Sequence, residues 1–109
     1  MSKSDDIDDI LAKISEYTTT MVAIAAPDYQ TALAINSAVS VATQLSRDLL
    51  HLKMVTSIED VRRAALSLKA QTKTLQDQTK TIKAIVGKAA GIAKAASIVV
   101  QIGLGVDAL

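Results

Sequence analysis

Cysteine, phenylalanine and tryptophan are absent from this chain of 109 residues, and proline and histidine occur once each. Without cysteine there is no disulfide, no thiolate nucleophile and no cysteine-based metal site. The single histidine, His51, has no second histidine to share a metal with. Tyr17 and Tyr29 are the only rings. Aromatic side chains usually fill the centre of a rounded core, because each buries a large surface. Here Ala, Val, Ile and Leu carry the apolar content instead, and that composition suits long, thin contacts between helices. Glycine appears only at positions 87, 91, 103 and 105, so the first 86 residues contain Pro27 as their one strong helix breaker.

Other absences exclude whole classes of chemistry. Gly87-Lys88 lacks the earlier glycine and the following Ser or Thr of a phosphate loop. Asp5, Asp6, Asp8 and Asp9 lack the spacing and the glycine of a calcium loop. No base is spaced to activate a Ser or Thr. The expectation is a protein that is not an enzyme, with no cofactor, no metal and no small-molecule substrate. The acidic N-terminus shows no basic region followed by an apolar run, so no signal peptide is expected. The segment from Ala84 to Val106 carries Lys88 and Lys94, each costing roughly 2.5–3.5 kcal/mol near a bilayer centre. Its longest uncharged stretch is too short to span a membrane. These points lead to an expectation of a cytoplasmic location or secretion without a leader.

What is present is helical periodicity. Half of the residues are hydrophobic. In the first half a three-four beat runs through Ile7, Ile10, Ile14, Tyr17, Met21, Ile24, Thr31, Ile35, Ala38, Ala42, Leu45, Leu49 and Leu52, interrupted at Asp28. In the second half it runs through Ile58, Val61, Ala65, Leu68, Thr72, Leu75, Thr79, Ile82, Val86, Ala89, Ala93, Ala96, Val100 and Gly103. Sustained heptads predict coiled-coil-like packing. The fold expected is all-α and a single domain over residues 1–109. It is a long antiparallel helical hairpin, with helix 1 over about 5–53, kinked at Pro27, and helix 2 over about 57–103. The alternative is a three-helix bundle split at Pro27. Thr56 and Glu59 have capping-box spacing at the start of helix 2. Folding about residue 55 sets Lys94 opposite Glu16 and Thr79 opposite Thr31, a polar layer expected to fix register but not to add stability. Gln71-Thr72-Lys73-Thr74-Leu75 recurs seven residues later as Gln78-Thr79-Lys80-Thr81-Ile82.

From residue 85 onward there are more apolar faces than a hairpin can cover. Ile85, Ile92, Val99 and Val106 form a row beside the main seam, and Ala84, Gly87, Gly91 and Ile98 form a small-residue face on the far side. Gly87 and Gly91 have the spacing of a close helix approach. Ile85, Gly87, Gly91, Ile92, Ile98, Val99, Ile102 and Val106 are therefore the candidate contact surface, toward another subunit or toward lipid. Arg62, Lys69, Lys73, Lys80, Lys83 and Lys94 form a cationic stripe on the side away from the seam. Such a stripe can follow anionic headgroups, or it can simply be the water-facing side of a helix. Nucleic acid is disfavoured, because the stripe has no stacking ring and the net charge is only +1. The sequence thus predicts a structural or interaction protein that self-associates or joins another helical protein. A membrane-active protein using the cationic apolar segment 82–106 is the alternative.

Overall fold

The structure is a computed structural model and describes residues 3–109. The described residues form four helices and no strand: α1 (Lys3–Val22), α2 (Tyr29–Leu52), α3 (Ile58–Val86) and α4 (Ile92–Asp107). The expected helix over about 5–53 is therefore two helices, and so is the one over about 57–103. The three-helix alternative splits the first arm correctly and leaves the second one whole. Each helix packs on its neighbours in chain order, and α4 closes the ring against α1. The molecule measures 46 × 23 × 16 Å, whereas a straight hairpin of this chain would be on the order of 70 Å long.

Both interruptions have local causes. Pro27 removes a helical hydrogen bond and disfavours helix at the residue before it, and α1 stops at Val22. The chain then turns and restarts at Asp28, whose Oδ1 accepts the Thr31 N–H at 2.7 Å as an N-cap. That bond holds the Asp28 carboxyl below its ordinary value. In the second arm, Gly87 takes φ +63° and Gly91 φ +91°, a region that side-chain-bearing residues rarely enter. Gly87 ends α3 and Gly91 starts α4. The glycine pair thus makes a bend and is not the close-approach motif its spacing suggested. The close approaches are at Gly103 and Gly105 instead. A methyl group on Gly103 would run into Gln76 of α3, and one on Gly105 would lie 2.8 Å from Ile10 of α1.

The register expected from folding about residue 55 holds at Lys94 and Glu16 but not between α2 and α3, where Gln78 meets Ser37 and Gln71 meets Asp48. Lys94 lies against Glu16 with Nζ 3.7 Å from the carboxylate. Both glutamines donate, joining α3 to α2. What the bends add is contact between the two halves of each arm: Lys53 at the end of α2 pairs with Asp8 near the start of α1 at 2.8 Å. The hairpin is in effect doubled over, with both bends at the same end.

Doubling over also settles where the surplus apolar rows go. The first-half seam is buried from Ile7 to Leu52 apart from the Asp28 interruption, and in α3 Leu68, Thr72, Leu75, Thr79 and Ile82 continue it. After the bend the buried row becomes Ile92, Ala95, Val99, Ile102 and Val106. Those positions precede the ones that carry the phase of α3 onward, and of the latter Ala93 and Val100 face solvent. The literal repeat has a simple origin here. In each copy the Gln reaches α2, the first Thr and the Leu or Ile enter the core, the Lys is exposed, and the second Thr bonds back to its own helix.

Thr79 finds its polar partner in Tyr17 of α1, where Thr31 of α2 was expected. Thr79 Oγ1 donates to the Leu75 carbonyl at 2.7 Å and lies 2.6 Å from the Tyr17 hydroxyl. With the threonine proton committed, the tyrosine is the donor. Burial raises the Tyr17 pKa above its ordinary value of 10.0. The start of α3 also differs in detail from the capping-box reading. Ser57 is the N-cap, accepting the Asp60 N–H at 3.4 Å.

Candidate interaction surface

Of the eight residues expected to make outward contacts, Ile92, Ile98, Val99, Ile102 and Val106 lie in the core of the bundle. Their apolar surface is covered by the chain's own helices, which removes the reason for assigning them to a partner. Gly87 and Gly91 form the bend, with Gly91 close to Thr20 of α1 and to Ile24 just after it. Ile85 stays on the outside, about half exposed, and the two glycines of the bend are exposed as well.

Five members of the cationic stripe, Arg62, Lys69, Lys73, Lys80 and Lys83, are exposed on α3. Four of them run along its flank next to α4, and Arg62 continues the row toward the start of α3. Lys69 and Lys73 border a cleft with Gly103 and Asp107, and Lys80 and Lys83 border the next one with Ala96 and Val100. Lys94 shares their heptad position only in a continuous helix. The bend carries it to the other flank of α4, where it meets Glu16.

Exposed apolar side chains accompany the stripe. Leu66 is 65% exposed and stands four residues after Arg62 and three before Lys69. Ile58, 79% exposed, precedes Arg62 by one turn. Across the groove, Val100 and Leu104 are 53% and 66% exposed and lie one turn apart on α4. Heptad arithmetic places Leu66 within the row of Arg62, Lys69 and Lys73, so its place was readable from spacing. Val100 and Leu104 were not readable as surface, because their exposure depends on the change of phase at the bend. Two carboxylates share the face: Asp77 lies between Lys73 and Lys80 in the sequence, and Asp107 borders the same cleft as Lys69 and Lys73.

The remaining clefts are open and mixed in character. One, between the end of α2 and the start of α3, gathers Asp48, His51, Val55, Asp60, Arg63, Ala64 and Ser67. Another gathers Asp6, Asp9, Ile10 and Lys13 of α1 with Gln101, Gly105 and Ala108. Among the described residues no group of three or more His, Asp or Glu side chains is placed to hold a metal ion. No helix among them is long and apolar enough to cross a membrane. Compared with protein-family models, with curated proteins and with solved structures, the chain matches none.

Proposed function

We propose that this chain is a non-catalytic helical bundle that acts by association, and that the face formed by α3 and α4 is where it associates. A single observation carries this reading. Ile58, Leu66, Val100 and Leu104 are exposed and lie on one face with five cations, while the heptad seams that would otherwise drive assembly are closed inside the bundle. Large apolar side chains grouped on a surface cost solubility and contribute little to folding, so a contact outside the chain accounts for them best. Partners compatible with such a face include a second copy, another helical protein and a lipid surface.

The test separates a role in folding from a role in association. Replacing Ile58, Leu66, Val100 and Leu104 together with serine should leave the thermal midpoint close to that of the parent protein, since surface changes of this kind are usually small. The same variant should lose whatever association the parent makes, whether a concentration-dependent rise in mass by light scattering or binding to vesicles. A strongly destabilised variant would assign these side chains to the fold. A variant that associates like the parent would remove the face from consideration.

A further inference from the structure

Resting on the reading of the α3/α4 face as an association surface, we infer that its partner is a membrane surface rich in anionic headgroups, bound by the closed bundle lying on its side. The argument starts from the row along α3. Ile58, Arg62, Leu66, Lys69, Lys73 and Lys80 follow one another at spacings of three, four or seven residues and are all exposed. With Lys83 they extend along about 38 Å of one helix. The row occupies one side of the helix, about 100° wide, and the long lysine and arginine side chains let all of it reach a plane resting on that side.

The chemistry of the row is interleaved. Lysine and arginine stems lie along apolar surface while their charged ends reach outward. Leu66, Val100 and Leu104 between and beside them can enter the boundary between headgroups and acyl chains. A polyanion without apolar depth, such as a nucleic-acid backbone, would satisfy the cations and leave those three side chains in water. Five cations against Asp77 and Asp107 leave the face positive.

The second-copy alternative is weaker on the same evidence. The acidic helix α1 lies diagonally across the bundle from α3 and would supply the complementary charge. Its outer positions Asp5, Asp9, Ala12 and Glu16 carry no large apolar side chain, and the exposed Val22 stands alone at the helix end, too little to cover Leu66 and Leu104 together. Glu16 is moreover engaged with Lys94 of its own chain. The diagonal placement also orients the molecule. With α3 on an anionic surface, the carboxylates of α1 point away from it.

The experiment is co-flotation of the full chain with vesicles of neutral phosphatidylcholine alone and with vesicles containing about a third phosphatidylserine. The protein should float with the anionic vesicles, much less with the neutral ones, and binding should weaken at high salt. Lys80→Glu with Lys83→Glu should weaken partitioning by about 25-fold or more, at about fivefold for each cation lost. Leu66→Ser with Leu104→Ser should weaken it by about tenfold or more. Circular dichroism on both variants confirms the helical fold before comparison. Unchanged binding after the leucine substitutions, or binding to a labelled DNA duplex as tight as to the vesicles, would show a purely electrostatic surface and overturn the inference. Failure to float while the parent self-associates through the same face would overturn the lipid partner and keep the association reading. Failure to float without self-association would overturn both.

Discussion

At the scale of single residues, the pair formed by Tyr17 and Thr79 is the clearest case of a contact that changes the meaning of a pattern. Heptad spacing marks Thr79 as a polar interruption of an apolar seam, for which valine looks harmless or better. With the Tyr17 hydroxyl donating to it inside the core, Thr79→Val leaves a buried phenol without an acceptor, at a cost of about 1–3 kcal/mol. Tyr17→Phe leaves Thr79 bonded to the Leu75 carbonyl and costs about 1 kcal/mol. Urea unfolding of the two variants should therefore rank Thr79→Val as the more damaging, and the reverse order would refute the assigned donor. The same contact sets a pH signature. Because the folded pKa of Tyr17 is raised, its contribution to stability is complete below pH 10, the ordinary value, and is lost as the pH rises through the folded one. Tyr17→Phe should reduce the alkaline decline in stability. Spacing could place Tyr17 and Thr79 on inner faces, but it could not show that they meet across the bundle, because that needs the arms to double over.

At the scale of elements, most of each helix was legible and the second bend was not. The buried rows of α1, α2 and the middle of α3 coincide with the three-four beat, since burying one face of a helix leaves that signature in the sequence. Pro27 announced the first break by chemistry that no context can override cheaply. Gly87 and Gly91 gave a weaker warning. Glycine is tolerated inside a helix at nearly 1 kcal/mol relative to alanine, and spacing alone cannot distinguish a packed helix from a bend. The rows on either side of the phase change are also both apolar, so a straight seam could be drawn through Ala93, Ala96 and Val100 without contradiction. The contact-site expectation at Ile92, Val99 and Val106 followed from that straight seam. The backbone at Gly87 supplies the decisive test of the bend. Nothing lies within 4 Å of a methyl group placed there, so space is not limiting, but φ is +63°. Gly87→Ala should destabilise the protein by about 1–3 kcal/mol through backbone strain alone. If residues 84–92 were continuous helix, the same change would stabilise it, and the sign of the shift in the denaturation midpoint decides between them.

At the scale of the whole molecule, doubling over turns a rod with too many apolar faces into a bundle with a closed core and a side, formed by α3 and α4, where exposed apolar side chains stand among cations. All the functional reasoning depends on that closure. If the chain is folded at both bends, the seams are spent internally and the α3/α4 face is what remains for a partner. If it is a straight hairpin, the row from Ile85 to Val106 is exposed and becomes the assembly surface. Small-angle X-ray scattering at low protein concentration measures the difference directly. The Cα radius of gyration of the bundle is 14.2 Å and its longest dimension 46 Å, so a scattering radius of about 15 Å is expected once hydration is included. A straight hairpin on the order of 70 Å long would give about 20 Å, and that value from a monodisperse monomer would contradict the doubled-over bundle and with it the choice of face.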